Sequence, residues 1–435
     1  MNYYLGLGYS QGVTTAGTAR ETATRTGPAA ARQHSLREHN LELVARAVFE
    51  VPEPLSRAGV AAATGLARAT VSTLVDQLVA AGLVRELPAV TGGRAGRPAV
   101  PLVPAPRTVV GLGLEVNVDY LGVRVLDLTG DVVAERVVPG SFHDSDPAAV
   151  LGRLGALART VSDDVTASGM TVAGGRLALP GLVDPRTGLL QVAPNLGWSS
   201  LEPVPLLGLG DLDVRVANEA KLAALAELAG GSDVAAPDSF VFVSGDVGIG
   251  AAIVVDRALF LGERGWNGEI GHVVVDPAGP RCSCGAFGCL EQYAGKEAMM
   301  RAAGLPPDAP LEALVTLLSD ADADADAGAA DSGPDAGAAD RAGGRAVLSA
   351  GRALGSALAD FVNLLDVGTI VLGGAYTELM PWLRADVEAV LDDRVLAAPF
   401  VDLQVRAAQA GPHAALTGGA REVLRTVLAD PAAWV

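Results

Sequence analysis

The sequence predicts an α/β protein made of a small head and a large body. Strand-like and helix-like segments alternate from about Thr108 onwards, which is typical of an α/β body large enough for two lobes. Residues 35–104 instead contain three helical patterns followed by a glycine-rich hairpin. The three cysteines of the chain all lie within the eight residues from Cys282 to Cys289, which indicates a local metal site.

Charge is divided unevenly between the head and the body. The 435 residues carry a formal net charge of −18, yet residues 1–108 contain 11 arginines, no lysine and 7 acidic residues, a balance of +4. The remaining residues carry 21 basic and 43 acidic groups, a balance of −22. A basic head on an acidic body favours a polyanionic partner for the head alone.

Composition predicts a soluble, cytoplasmic protein with aliphatic cores. Half of the residues are hydrophobic and only 4% are aromatic. No uninterrupted apolar run approaches the roughly 18 residues that a membrane-spanning helix needs. The N-terminus also lacks a basic region followed by an apolar segment, the pattern of a secretory signal. We therefore expect no membrane partner.

The head begins after a segment without usable periodicity. Residues 1–34 are rich in Thr, Ala, Gly and Arg, and we expect them to form a disordered tail. From Ser35, apolar residues repeat at helical spacing between Leu41 and Val48. Pro52 then ends this first helix.

Two further helices and a tight turn follow. Ser56 can cap a short helix that reaches Thr64, Gly65 supplies the turn, and a second helix is predicted from about Arg68 to Ala81. Apolar residues cover one face of that second helix. The other face turns polar side chains outward, where they can contact base edges and phosphates: Arg68, Thr70, Ser72, Thr73 and Gln77.

The segment after these helices resembles the wing of a winged helix-turn-helix domain. It reads LPAVTGGRAGRPAVPLV and presents Arg94 and Arg97, which can contact phosphates or a narrow minor groove. The alternative is an ordinary three-helix module that binds another protein. The two arginines and the positive charge of the head favour double-stranded DNA as its partner.

The body is expected to span residues 108–428, after a proline-containing linker at 104–106. Its first part contains three β-rich runs separated by turn signals, which predicts an antiparallel meander. One segment interrupts the alternation of strands and helices. Residues 319–346 form an Ala/Asp/Gly repeat, which we expect to be a disordered insertion without an assigned function.

A histidine and the three cysteines form a candidate tetrahedral metal site. His272 precedes Cys282 by ten residues, and Cys284 and Cys289 complete the pattern H-x9-C-x-C-x4-C. Nitrogen and sulfur ligands at such spacings suit zinc. The carboxylates of Glu269 and Glu291 flank these ligands, so a metal that fixes this segment would also hold them in place.

Three other interpretations of the cysteines are weaker. Free cysteines are often buried core residues, but three within eight positions and none in the other 427 argue against simple packing. A disulfide would leave one thiol unpaired. Catalytic zinc usually keeps one coordination position open for water, whereas four protein ligands close the site. We expect structural zinc.

The motifs GEIGH and CSCGAFGCLE resemble those of the ROK family, which contains repressors and sugar kinases. The resemblance extends over about Ser35 to Leu428, and the winged head makes the chain similar to the xylose and N-acetylglucosamine repressor branch. It implies an actin-like, two-lobed sugar-kinase body in which a sugar lies in a cleft beside a structural zinc site. The residues that match the zinc ligands of the family are His272, Cys282, Cys284 and Cys289.

The same resemblance implies the sugar contacts. Asn218 matches the sugar-binding asparagine of the family, while Glu269, His272 and Glu291 match its contacts to sugar hydroxyls. Carboxylates and imidazole bind vicinal hydroxyls well, and such a site rejects analogues that lack them. His272 can place one ring nitrogen on zinc and the other towards a sugar or sugar phosphate.

The phosphate-binding turns depart from the kinase pattern. Where the kinases resemble D-x-G-x-T, this chain has residues 115–119, EVNVD, and it loses both the glycine and the threonine. Asp246 replaces a second threonine, and Glu219 stands where the kinases have an aspartate base. We expect sugar binding without phosphoryl transfer, so that the chain is not an enzyme.

These features lead to one functional hypothesis with two competitors. The first is a sugar-responsive transcriptional regulator, a repressor of carbohydrate metabolism genes, which binds a pseudo-palindromic operator as a homodimer or homotetramer. The second is an active ATP-dependent sugar kinase that carries a DNA-binding head. The third is a regulator controlled by a protein partner, with an idle cleft.

Overall fold

The computed structural model describes residues 28–51, 53–89, 99–210, 212–230, 236–326 and 336–435. Within these ranges, no single helix is long and apolar enough to cross a membrane. The α-helices are α1 (Pro28–Phe49), α2 (Arg57–Thr64), α3 (Arg68–Ala80), α4 (Pro147–Ala167), α5 (Pro203–Leu207), α6 (Glu219–Leu228), α7 (Glu291–Ala294), α8 (Lys296–Ala303), α9 (Leu311–Asp326), α10 (Ala336–Leu365), α11 (Ala375–Arg394) and α12 (Ala414–Ala429).

Strands alternate with these helices in the body. They are β1 (Val84–Glu86), β2 (Leu102–Pro104), β3 (Val109–Val116), β4 (Tyr120–Asp127), β5 (Val132–Pro139), β6 (Thr171–Leu179), β7 (Leu182–Val183), β8 (Leu190–Ala193), β9 (Trp198–Leu201), β10 (Val214–Asn218), β11 (Phe240–Gly245), β12 (Ile249–Val255), β13 (Ala258–Phe260), β14 (Thr369–Gly374) and β15 (Gln404–Ala407).

The head consists of α1, α2, α3 and the antiparallel pair of β1 and β2. The Ser56 side chain accepts a hydrogen bond from the amide of Gly59 at 3.2 Å, which caps α2 as predicted. Gly65 ends that helix with a φ of 72°, a conformation that favours glycine. The apolar face of α3 is buried, so the predicted helix-turn-helix is present with the polar face outward.

The arms of the predicted wing are present, but its tip lies outside the described residues. β1 pairs with β2 in the register Arg85 to Val103, which brackets residues 90–98. Arg94 and Arg97 fall within those residues, so their proposed DNA contacts remain predictions.

The first lobe is built on a five-stranded sheet of order β10-β6-β3-β4-β5. β10, β6 and β3 run parallel, whereas β3, β4 and β5 form the predicted antiparallel meander. Helix α4 packs on one face of this sheet and α12 on the other. A short three-stranded sheet, β7-β8-β9, follows β6.

The second lobe is built on a sheet of order β13-β12-β11-β14-β15. One face packs against α8, α10 and α11 in the largest apolar cluster of the described residues. The other face packs against α6 and the start of α12, through Leu222 and Ala415. Helices α6 and α12 therefore lie between the two sheets.

Two segments were predicted to be disordered over too many residues, because the structure places helix within each of them. Helix α1 begins at Pro28, inside the segment 1–34. Helices α9 and α10 occupy residues 319–326 and 336–346 of the predicted insertion, because the alanines of the repeat favour helix. Ala346 is only 3% exposed, so this part of α10 belongs to the core.

The head packs directly on the body. Ala420, Leu424 and Val427 of α12 share one buried cluster with Leu41 and Val44 of α1. The linker predicted at 104–106 is part of this contact, since Pro104 belongs to β2 and the next residue is buried. A movement of α12 would therefore be transmitted to the head by direct packing rather than through a flexible linker.

Candidate functional site

The predicted metal ligands come together in space. The ligand atoms of His272, Cys282, Cys284 and Cys289 all lie within 4.8 Å of one another. Nδ1 of His272 is 3.7 Å from Sγ of Cys282, and the sulfurs of Cys284 and Cys289 are also 3.7 Å apart. Zinc–sulfur bonds of about 2.3 Å require tetrahedral edges of about 3.8 Å. The arrangement fits a tetrahedral ion and excludes a disulfide, since all three thiols are free.

Tight turns fold the metal segment back on itself. The amide of Cys282 donates to the carbonyl of Ala286 at 2.8 Å, and Cys289 pairs with Val274 in an antiparallel bridge. Gly288 has a φ of 67°, and a Cβ there would lie 1.5 Å from the carbonyl oxygen of Asp276. Only glycine permits this approach.

The buried thiol of Cys289 needs a cation to ionise. Burial, together with the hydrogen bonds of this thiol with the neighbouring cysteines, raises its pKa to about 12. A bound divalent ion reverses this balance, because it coordinates the thiolate form. All four positions of a tetrahedral ion are filled by protein atoms, which suits a structural metal.

A cavity adjoins the metal segment and is shared by both lobes. Its lining includes the five predicted ligand-binding residues together with residues that the sequence did not reveal. The polar residues of the lining are Asn117, Asn195, Asn218, Glu219, Asp246, Glu269, His272 and Glu291. The structure thus brings together side chains that lie up to 174 positions apart in the chain.

Asn218 links the first lobe to this cavity. It caps α6, where its Oδ1 accepts from the amide of Lys221 at 3.2 Å, and its Nδ2 donates to the carbonyl of Gly181 at 3.1 Å. This places the amide at the positive end of the helix. Glu219 follows it as the first residue of α6.

Glu269 and Glu291 line the cavity from the second lobe. Gly248 passes so close that a Cβ there would lie 3.0 Å from Oε2 of Glu291 and 2.7 Å from Nδ2 of Asn195. Lys221 is buried and donates to the carbonyl of Gly265 at 2.6 Å, which holds the chain before Glu269. Asn195 and Lys221 are thus functional candidates that sequence reasoning missed.

Burial governs the protonation of the cavity carboxyls. It raises the pKa of Glu269 and Glu291, while the charge of His272 lowers both values. It also raises the pKa of Glu219 well above its usual range, and the charge of Glu115 raises it further. A carboxyl in its protonated form both donates and accepts hydrogen bonds, as vicinal hydroxyls require.

A second cleft, of about 640 Å³, lies beside this cavity and is strongly acidic. The acidic groups of its lining are Glu115, Asp119, Glu219, Asp246, Glu312 and Glu378. Lys296 is the lysine of the lining, and its Nζ is paired with Oδ2 of Asp119 at 2.5 Å. The ionisable groups of this lining are therefore mostly carboxyls.

The outward face of α3 carries most of the predicted DNA contacts. Arg68, Thr70 and Thr73 are exposed, whereas Gln77 is half-buried. The hydroxyl of Ser72 accepts a hydrogen bond from Nη1 of Arg57 at 3.0 Å, so it is partly engaged within the head.

The chain belongs to the ROK family, whose model matches residues 112–425. The IclR helix-turn-helix domain model matches residues 46–88, which cover the end of α1 through β1. The predicted family and the predicted combination of a helix-turn-helix head with a ROK body are confirmed.

Similar proteins of known name cover nearly the whole chain. The chain is 25% identical over 404 residues to the xylose repressor of Caldicellulosiruptor bescii, which spans 91% of this chain and 98% of that protein. It is 29% identical over 365 residues to the DNA-binding transcriptional dual regulator NagC of Escherichia coli K12, which spans 81% and 84%.

Solved structures divide between regulators and kinases. A ROK family transcriptional regulator, described as a homologue of the E. coli MLC protein, has a TM-score of 0.68 and 26% identity and spans 91% of this chain and 97% of that one. The ROK hexokinase of Thermus thermophilus has a TM-score of 0.52 and 28% identity and spans 72% and 96%. The regulator thus matches head and body, whereas the hexokinase leaves more than a quarter of the chain unmatched.

Proposed function

We propose that this protein is a sugar-responsive, DNA-binding transcriptional repressor of carbohydrate metabolism genes. The observation that carries the proposal is a helix-turn-helix head packed in one buried cluster with a body that holds a polar inter-lobe cavity. Relatives named as xylose and N-acetylglucosamine repressors match 91% and 81% of this chain.

The DNA-binding half of the proposal rests on the exposed polar face of α3. Arg68, Thr70 and Thr73 would contact the major groove, and Arg94 and Arg97 would contact the backbone or the minor groove. Two heads of a homodimer or homotetramer would bind half-sites about 34 Å apart. Light scattering in solution, together with the symmetry of a selected operator, tests this assembly.

The effector would be a neutral sugar rather than a sugar phosphate. Four carboxyl side chains line the cavity, which contains no arginine, and the buried Lys221 already donates to a backbone carbonyl. Asn218, Glu269, His272 and Glu291 would contact the hydroxyls. A phosphate in this position would find no arginine or lysine among the described lining residues to bind it.

Zinc would hold the second-lobe half of the cavity in place. His272 would coordinate the ion through Nδ1, which faces Cys282, while its ring also lines the cavity. The ion would thereby limit the movement of Glu269 and Glu291 relative to each other. The ion would therefore have a structural role and take part in no reaction step.

The acidic cleft supports a loss of kinase activity. The first phosphate turn offers Asp119, already paired with Lys296, and the second offers the half-buried Asp246, whose pKa is raised mainly by desolvation. The kinase-like fold of the body nevertheless makes phosphoryl transfer the competing function. An assay that couples ADP release to NADH oxidation should detect no turnover, and turnover abolished by Glu219→Gln would replace our proposal with a kinase.

The decisive experiment combines operator selection with a sugar panel. The full-length protein should select a pseudo-palindromic site from random duplexes, and one neutral sugar should weaken that binding. Glu269→Gln and Asn218→Ala should retain DNA binding and lose the sugar response. The sensor half of the proposal is wrong if no sugar or sugar phosphate alters the affinity.

A further inference from the structure

A groove of about 620 Å³ runs between α1 and α3 of the head. Thr70, Thr73 and Gln77 of α3 line one wall, and Arg37 and Asn40 of α1 line the other. The α3 wall belongs to the polar face that is proposed to bind DNA. The α1 wall was not assigned any role by its sequence.

The two polar side chains of the α1 wall lack partners among the described residues. Arg37 is exposed and Asn40 half-buried, and neither makes a hydrogen bond or ion pair with the described residues. Oε1 of Gln77 is buried, again without a partner in the part of the chain that the structure describes. By contrast, Arg46 of α1 pairs with Glu42 at 2.9 Å, and Arg57 pairs with Asp76 at 2.7 Å.

An unpaired guanidinium beside two exposed threonines is suited to a phosphate chain. Arginine binds phosphate oxygens through charge-assisted hydrogen bonds, and the hydroxyl of Thr70 can donate to the same oxygens, whereas that of Thr73 donates to the carbonyl of Ala69 at 3.2 Å. The walls also include Leu36 and Leu74, whose apolar atoms can contact deoxyribose. The occupant that fits best is therefore a sugar–phosphate strand that enters beside the major groove.

We propose that this groove receives the DNA backbone and that Arg37 and Asn40 form a second set of DNA contacts. The inference rests on the proposed DNA-binding function and adds α1 to the binding surface. Arg37 would neutralise one phosphate, and the Asn40 amide would donate to an adjacent oxygen. Helices α1 and α3 would then contact the same DNA strand from opposite sides.

Three variants with the same change in charge test this inference in the full-length protein. Arg37→Ala, Asn40→Asp and Arg46→Ala each lower the net charge by one, but only the first two alter the groove. On a duplex selected by the wild type, the first two should weaken binding about tenfold, whereas Arg46→Ala should change it less than about twofold.

The salt dependence separates a direct contact from a distant charge effect. Arg37→Ala should reduce the slope of log affinity against log salt by about one, the value for one lost phosphate contact. Arg37→Lys should retain most of the affinity, and thermal unfolding should verify that each variant is folded. Equal affinities and slopes for folded Arg37→Ala and Arg46→Ala would overturn the inference.

The inference can also fail separately from the proposed function. If the wild type selects a duplex and the groove variants bind it normally, DNA does not enter the groove and only the inference is wrong. The groove is then free for another occupant, such as a protein segment. If the wild type selects no duplex at all, the proposed function and the inference fail together.

Discussion

At the scale of single residues, burial decides how the carboxyls of the body behave. Glu115 is 2% exposed, and its Oε2 has no hydrogen-bond partner among the described residues. Its pKa is raised to about 8, mainly by burial, with a hydrogen bond from Tyr120 lowering the pKa and the charge of Asp246 raising it. Near neutral pH this side chain is therefore largely protonated, and folding is favoured in that form.

The raised pKa of Glu115 predicts that stability falls as the pH rises from about 4.5 to about 8. A carboxyl with a folded pKa of about 8 contributes fully below its unfolded pKa near 4.5, and that contribution declines as the pH rises through the folded value. One proton gives a slope of about 1.4 kcal/mol per pH unit.

Glu115→Gln should remove this slope. Between pH 6 and pH 7.5 the free energy of unfolding of the wild type should fall by about 2 kcal/mol relative to that of the variant. Urea unfolding at several pH values measures the difference. Parallel curves for the two proteins would show that Glu115 is ionised when folded.

Replacing the sulfur atom of Cys284 tests whether the cluster binds a metal. It is the exposed thiol of the cluster, so replacing its sulfur removes one ligand with little loss of packing. Cys284→Ser should bind less zinc, measured as metal per chain by mass spectrometry, and should lose the sugar response. DNA binding without sugar should persist, because the head lies elsewhere.

The neighbouring Ser283 provides a matched control for this experiment. Ser283→Ala should retain both zinc and the sugar response, since it keeps all four nitrogen and sulfur ligands and removes only a hydroxyl 3.9 Å from the sulfur of Cys282. A Cys284→Ser protein without zinc that still responds normally to sugar would disprove a supporting role for the metal.

At the scale of elements, α6 and α12 connect the cavity with the head. Helix α6 begins beside Asn218 and packs against α12, which in turn packs under α1. Gly418 makes the helix contact possible, because a Cβ there would lie 1.7 Å from the carbonyl oxygen of Leu222. Arg421 reinforces it by donating to the carbonyl of Ala226 at 3.2 Å.

Gly418→Ala should separate the two helices and weaken the coupling between sugar and DNA. We expect a loss of stability of about 1–3 kcal/mol, the usual cost of overpacking. The factor by which sugar lowers DNA affinity should also fall towards one. Titration of DNA with and without sugar measures that factor.

Gly152 supplies the control for the helix contact. It lies in α4 with no atom within 4 Å of an added Cβ, so Gly152→Ala should raise stability by up to about 1 kcal/mol through helix propensity. If both alanine variants keep the wild-type coupling factor, α6 and α12 do not transmit the signal.

Local patterns predicted some elements well and missed contacts between distant segments. The second head helix was predicted to run from about Arg68 to Ala81 and spans Arg68–Ala80, because its spacing and Gly82 are local signals. Lys221 was missed, since its partner Gly265 is 44 positions away. Residues 319–346 were predicted to be disordered because their Ala/Asp/Gly repeat lacks large apolar residues. The described parts of this repeat nevertheless form helix.

At the scale of the whole molecule, the two lobes meet across the cavity and the acidic cleft. Asn218 belongs to the first lobe, whereas Glu269 and Glu291 belong to the second, so a sugar that contacts all three requires a closed arrangement. The pair between Asp119 of the β3–β4 turn and Lys296 of α8 joins the same lobes. This ion pair favours the closed state before any sugar binds.

Lys296→Met should therefore weaken sugar binding without altering DNA binding in the absence of sugar. A partly exposed ion pair contributes up to about 1 kcal/mol, which corresponds to about a fivefold loss of sugar affinity in calorimetry. Arg301→Met is the matched control, because Arg301 lies on the same helix and pairs with Glu297 within one lobe. If both variants bind sugar with the same affinity, the pair between the lobes does not set the closed state. A lower affinity for Lys296→Met alone would show that closure between the lobes, beyond the local sugar contacts, contributes to effector binding.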